Sequence, residues 1–146
     1  KCKTVAELFD WVQTVDREKI VPLLAQYRPA SKAPLNVLIQ VNIDAEPGKS
    51  GCSPDAAARL ADLIDSFPRL RLRGLMAIPD PAHSANGMAF ERMQALYRTL
   101  QQRHPQMDTL SMGMSDDYPV AIRHGATLVR VGSALFGPRP SHSEDT

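Results

Sequence analysis

The feature that most limits what this chain can fold into is an alternation of two patterns. Short apolar runs of strand length are separated by longer segments whose apolar residues recur every three to four positions. The runs lie at Trp11 to Val15, Asn36 to Asn42, Leu72 to Ile78, Thr109 to Gly113 and Thr127 to Gly132, mostly bounded by Pro, Gly, Asp or Asn. They are almost continuously apolar, as strands covered on both faces of a parallel sheet are. Between them, Ser53 and Pro54 open a helix whose Leu60, Leu63, Ile64 and Phe67 share one face. A second helix is predicted from Met88 to His104, with Phe90, Met93, Tyr97 and Leu100 inward and Pro105 as its stop. Shorter helices fit Arg17 to Gln26, with Ile20, Leu24 and Tyr27 inward, and Asp117 to His124, ended by Gly125. Pro22 would remove an internal hydrogen bond from a helix begun at Asp16, so the first of these starts later or kinks. Thr4 to Leu8 reads as the last turns of another helix.

Strand and helix in alternation, with short connections, imply right-handed crossovers and a parallel α/β sheet. A doubly wound sheet usually carries a Gly-rich turn after its first strand, and none is present. A closed (β/α)8 barrel takes about 250 residues, whereas this chain has 146. The expected fold is therefore α/β of the (β/α)8 TIM-barrel type, here a partial barrel of about five β/α units over residues 1–140, followed by a disordered tail at 141–146. Seventeen Lys and Arg against sixteen Asp and Glu leave a net charge of +1, which supplies no field for nucleic acid or an anionic membrane. With no apolar run long enough to span a bilayer and no secretory signal, a cytoplasmic protein is expected. Cys2 and Cys52 suit reduced thiols. Four isolated histidines, His83, His104, His124 and His142, give no metal-ligand spacing.

In such a fold ligands meet the carboxyl ends of the strands, and phosphate commonly binds after the last two. Here both of those exits are rich in Gly and Ser: Ser111-Met112-Gly113-Met114-Ser115-Asp116-Asp117 and Arg130-Val131-Gly132-Ser133-Ala134-Leu135-Phe136-Gly137. Glycine admits a close backbone approach, serine donates to phosphate oxygens, and a helix starting just afterwards adds free N–H groups. Either exit alone is an ordinary turn; two on adjacent strands could form one anion cup. Arg130 lies inside an otherwise apolar run and needs a partner if covered. Three readings stay open for it: an ion pair with Asp116 or Asp117, a stem lying along the sheet with its head in water, or a donor facing a ring or carboxylate ligand held at Gly132 and Ser133. Asp116 and Asp117 fit a capping role better than a catalytic pair. Lys49 reads as a solvated loop charge, because Gly48 to Gly51 lacks the full phosphate-loop spacing. Arg69, Arg71 and Arg73 read as a solvated edge, and Met76 as barrel lining.

These motifs resemble, in order and over almost the whole chain, the pyridoxal phosphate homeostasis protein family. The resemblance is carried by Phe9-Asp10-Trp11-Val12-Gln13-Thr14-Val15-Asp16-Arg17, Leu35 to Asn42, Glu46 with Lys49-Ser50-Gly51, Gly74 to Pro79, Leu110 to Asp117 and Val129 to Gly137. It implies an alanine racemase-like barrel that binds pyridoxal 5'-phosphate without catalytic turnover. By the same resemblance Ser115, Gly132 and Ser133 hold the phosphate, Gly113 and Met114 shape the turn, Met76 lies near the ring, and Arg130 faces the pyridine nitrogen. None of Lys1, Lys3, Lys19, Lys32 or Lys49 matches the family's covalent lysine, so the resemblance assigns the chain to the carboxyl-terminal portion of a longer parent. That parent is expected to be monomeric and to exchange cofactor with pyridoxal phosphate-dependent apoenzymes; the portion alone would self-associate. Two alternatives remain at this stage: an amino-acid racemase or decarboxylase of the same barrel type, and a cofactor-free barrel remnant that binds another chain.

Overall fold

The structure, a computed structural model, describes residues 1–139, so the tail expected at 141–146 lies outside the described residues. In chain order the elements are α1 (Cys2–Leu8), β1 (Trp11–Val15), a 3-10 turn (Glu18–Ile20), α2 (Val21–Tyr27), β2 (Leu35–Gln40), α3 (Pro54–Asp65), β3 (Leu70–Met76), α4 (Pro81–Ser84), α5 (Met88–Arg103), β4 (Thr109–Met114), α6 (Tyr118–Arg123), β5 (Leu128–Arg130) and α7 (Ser133–Phe136). The five strands are all parallel, and their order in the sheet is their order in the sequence. A doubly wound sheet reverses direction at a switch point; this one never does, which makes it an arc of a barrel.

Register shifts interrupt three of the four ladders, between Val12 and Val15, between Val37 and Leu38, and between Ser111 and Met114. Each extra residue bends its strand and increases the local twist. The curvature can be judged from one contact. On a flat sheet β1 and β4 would stand three spacings apart, roughly 14 Å. Instead the Ser111 hydroxyl on β4 donates to Gln13 Oε1 on β1 at 2.7 Å, across β2 and β3.

The outer face is the main core, where Val37, Ile39, Leu110 and Met112 pack with Leu60 and Ile64 of α3 and Phe90 and Met93 of α5. Leu38 and Met76 are also buried but lie outside that cluster, on the inner face. Burial on both faces explains why the central strands β2, β3 and β4 read as continuous apolar runs. Close approach is built in at Gly74, which follows the bulge residue Arg73. Its φ is +154, and a Cβ there would lie 1.7 Å from the Thr109 carbonyl oxygen on β4.

The expected helices form, with differences that have local causes. Pro54 opens α3 and the Ser53 hydroxyl accepts from the Ala56 N–H at 3.2 Å. Ser53→Ala is expected to cost about 1 kcal/mol, read as a lower urea midpoint at unchanged slope. The helix expected from Arg17 is instead a 3-10 turn followed by α2 from Val21, which places Pro22 in the first turn, where no N–H is missed. Tyr27, expected inward, is 37% exposed. The arginines expected to form a solvated edge are a further correction. Arg69 donates to the carbonyls of Pro29 and Lys32, and Arg73 pairs with Asp108 through two hydrogen bonds while lying 4.5 Å over the Trp11 ring; only Arg71 is exposed.

Both cysteines are free thiols. Burial pushes the Cys52 thiol up to about 11. Iodoacetamide at pH 8 is therefore expected to alkylate the half-buried Cys2 well before Cys52, with mass spectrometry of the peptides as the check.

Candidate functional site

The carboxyl ends of β4 and β5 converge. After Met114 the chain turns through Ser115 and Asp116, and Asp117 closes the turn twice. The Asp117 N–H donates to the Met114 carbonyl at 3.2 Å, and the Asp117 carboxylate accepts from the Met114 N–H at 2.7 Å. Gly113, at φ +93, lets α6 sit flush on this exit, since a Cβ there would be 2.6 Å from the Ala121 Cβ and 3.0 Å from the Tyr118 Cα. From the β5 side, the Ala134 N–H donates to Ser115 Oγ at 3.1 Å and joins the two exits. Gly132 and Ser133 start the short α7 turn, so their N–H groups have no acceptor within it, and nothing lies within 4 Å of where a Gly132 side chain would stand.

An open pocket of about 730 Å³ lies against this junction, lined by Ile78, Met114, Ser115, Arg130, Gly132 and Ser133. Arg139 also lines it, and among the described residues no carboxylate does. A pocket with two guanidinium groups, two hydroxyls and free N–H groups suits an anion. Met76 is 3% exposed at the end of β3, beside Gln40 of β2 and Ser111 of β4 in the ladder.

Arg130 does not form the ion pair with Asp116 or Asp117 that stood as one of its readings. Its Nη1 donates to Ser111 Oγ at 2.6 Å and its Nη2 to the Ala77 carbonyl at 2.9 Å. Burial pulls its pKa below the ordinary guanidinium value, opposed by the Asp117 charge. Both groups it hydrogen-bonds are neutral, and the carboxylates of Asp116 and Asp117 line the adjoining cavity without pairing with it.

Lys49 borders an adjoining cavity of about 580 Å³ but is paired with Glu46 at 2.7 Å, a hydrogen bond that holds the ammonium above its ordinary pKa. Asp44, its side chain 1% exposed, receives Arg92, His83 Nδ1 at 3.0 Å and the Asp80 N–H at 2.8 Å, which fastens the β2 exit to α4 and α5. Sequence reasoning missed Gln13 and Ser111 as site residues. The available signal was their place on inward positions of strands, Ser111 two residues before Gly113.

The alanine racemase, N-terminal domain family matches residues 1–140. The chain belongs to that family. Within this racemase-domain family, it is 51% identical over 141 residues to a pyridoxal phosphate homeostasis protein of Vibrio cholerae, covering 95% of this chain and 60% of the relative. A protein of the same name from Escherichia coli K12 is 49% identical over 142 residues, with the same coverage. The chain thus spans about 60% of the length of these curated relatives. The structure of PipY from Synechococcus elongatus with pyridoxal phosphate bound superposes with a TM-score of 0.82 at 30% identity, over 94% of this chain and 65% of PipY. D-threonine aldolase from Filomicrobium marinum shares the fold, with a TM-score of 0.77 at 20% identity over 93% of this chain and 40% of the aldolase. The partial racemase-type barrel expected from the sequence is thereby the fold of this chain. Among the described residues no helix is long and apolar enough to cross a membrane, and no cluster of His, Cys, Asp and Glu could hold a metal.

Proposed function

We propose that this chain supplies the phosphate-binding and ring-nitrogen side of a cytoplasmic barrel that binds pyridoxal 5'-phosphate for homeostasis of that cofactor, without catalytic turnover. The observation that carries the reading is the Ala134 to Ser115 hydrogen bond, which joins two Gly/Ser-rich exits beside a pocket lined by Arg130 and Arg139. The names of the relatives and the bound ligand of PipY support it. Ser115, Gly132 and Ser133 would hold the phosphate, with Gly113 and Met114 setting the turn and Met76 close to the ring. Arg130 would donate to the pyridine nitrogen. Bound pyridoxal phosphate supplies an electrophilic aldehyde and a ring that stabilises carbanions when its nitrogen is protonated. Arg130 does not give up its proton, so it leaves that nitrogen unprotonated and discourages the carbanion chemistry of a racemase or decarboxylase. We read residues 1–140 as the later part of one barrel, the covalent lysine belonging to earlier strands of the whole protein, and apoenzymes as the recipients of its cofactor.

Titrating the chain with pyridoxal phosphate, followed by absorbance and by competition with inorganic phosphate, tests this reading. Ser133→Ala is expected to weaken binding by about tenfold to a hundredfold, the loss of one hydrogen bond to a charged group, with little spectral change. Arg130→Gln is expected to change the bound spectrum more than the affinity. Negligible effects of both would remove the site assignment, and interconversion of alanine enantiomers by the loaded full-length protein would overturn the non-catalytic part. A second reading, a cofactor-free interaction module that self-associates, is favoured by the exposure of Leu135 at 71% and Phe136 at 87% beside the β5 edge. Concentration-dependent sedimentation of a chain that binds no pyridoxal phosphate would select it.

A further inference from the structure

The chain of contacts behind Arg130 has a direction set by hydrogen-bond capacity. A guanidinium only donates, so the Ser111 oxygen must accept from Nη1 at 2.6 Å. Ser111 has one proton, and its other neighbour, Gln13, lies at 2.7 Å; that proton points to Gln13, which must present its carbonyl oxygen. Ser111 is 0% exposed, so neither water nor a rearranged hydroxyl can take the place of Gln13 without leaving a buried polar group unpaired. The second anchor of Arg130 is the Ala77 carbonyl at the β3 exit, itself held to β4 by the Ala77 N–H donating to the Ser111 carbonyl at 3.0 Å. The guanidinium is thus fixed at two points, and one of them is referred across the inner face to a strand three places away.

We infer that Gln13 and Ser111 are positioning residues for Arg130: the neutral amide at 13 orients the Ser111 hydroxyl so that the guanidinium is held in one orientation toward the pocket by neutral partners. The inference rests on the proposed binding of pyridoxal phosphate and extends it to residues that do not line the pocket. The neutrality of the relay matters. A carboxylate in place of Gln13 would satisfy the same geometry but place a negative charge two hydrogen bonds from the guanidinium, offsetting the cation that an anionic ligand meets.

The test uses the whole chain and two readouts. In the free protein, side-chain NMR relaxation of Arg130 Nε–Hε is expected to show an ordered group in the wild type. In Gln13→Met, which keeps the volume of the stem but has no strong acceptor, the group should be mobile, and Gln13→Glu should restore the order. With ligand, Gln13→Met should lower pyridoxal phosphate affinity by about twofold to tenfold, the range of one neutral hydrogen bond, while inorganic phosphate binds as it does to wild type. If Gln13→Met fails to fold by circular dichroism, Ser111→Ala is read in the same way. An Arg130 that stays ordered without its relay, or an equal loss of pyridoxal phosphate and inorganic phosphate affinity, overturns the inference and leaves the reading of the pocket intact. A wild-type chain that binds no pyridoxal phosphate, with Arg130 released in Gln13→Met, overturns that reading instead.

Discussion

Gly74→Ala is expected to abolish the native fold or cost about 4 kcal/mol or more, a large share of the total stability of a domain this size. A Cβ at residue 74 would stand 1.7 Å from the Thr109 carbonyl oxygen, a backbone atom that cannot turn aside as a side chain would. Residue 74 also pairs with Thr109 in the β3–β4 ladder, so relief of the clash must open that ladder, and φ +154 suits no residue with a Cβ. The consequence reaches the site. The same ladder brings the Ala77 carbonyl and Ser111 together as the two anchors of Arg130. Urea unfolding, with the exposed neighbour Arg71→Ala as a control expected to stay within about 0.5 kcal/mol, measures the effect. A Gly74→Ala protein with wild-type stability would mean that β3 and β4 do not approach as described.

Arg28→Ala is the second large effect, expected at about 2–4 kcal/mol from a buried acceptor left unpaired and from lost packing. The Arg28 side chain is 1% exposed at the end of α2. Its Nε donates to the Ala33 carbonyl at 2.7 Å, Nη1 to the carbonyls of Ala6 and Phe9 at 2.9 and 2.6 Å, and Nη2 to the Asp10 carboxylate at 3.2 Å. The Ala6 and Phe9 carbonyls close the end of α1, where a cation also meets the favourable pole of the helix dipole. Removing the fork leaves the buried Ala6 carbonyl without a donor, while Phe9 and Asp10 turn to water, and the attachment of α1 and β1 to α2 goes with it. Arg28→Lys should recover less than half of the loss, because one ammonium cannot serve oxygen atoms spread along a planar fork. Urea midpoints for both variants decide the matter; a loss below about 1 kcal/mol for Arg28→Ala would show that water replaces the guanidinium.

Asp108 shows how different a surface pair is. Its hydrogen bond to Arg73 holds the carboxyl below the ordinary carboxylate range. A carboxyl with a depressed pKa adds stability above its unfolded value and loses it as pH falls through the lowered one, so this contribution disappears in mild to strong acid. With the side chain 54% exposed, solvent screening keeps it under about 1 kcal/mol, well below the buried Arg28. A urea midpoint that rose as the pH was lowered through that window would contradict the sign.

The elements differ in how far they could be read without coordinates. All five strands form where apolar runs predict them; burial on both faces leaves a continuous signature in β2, β4 and the second half of β3, whereas β1 and β5 at the two edges are only partly covered. Their ends shift by a few residues; β3 starts at Leu70 and β5 covers only Leu128–Arg130, since pairing rather than composition decides where a ladder stops. The single turn of α4 at Pro81–Ser84 was not foreseen, being too short to show a period. Of the proposed site, Gly113, Ser115, Gly132 and Ser133 stand out in sequence because glycine and serine cluster after a strand. The partners of Arg130 do not, and its alternatives could be separated only by coordinates.

Local pattern alone determined that this protein is a set of parallel β/α units whose polar turns fall at the carboxyl ends of its strands. It did so because periodicity, proline and glycine act within a few residues of where they stand. Tertiary structure alone decided that the sheet curls far enough for Gln13 to reach Ser111, 98 residues away in the chain, and that Arg130 is held by neutral groups rather than by Asp117. The physical reason is that curvature is the sum of bulges in three separate ladders, each set by how two distant segments slide against one another.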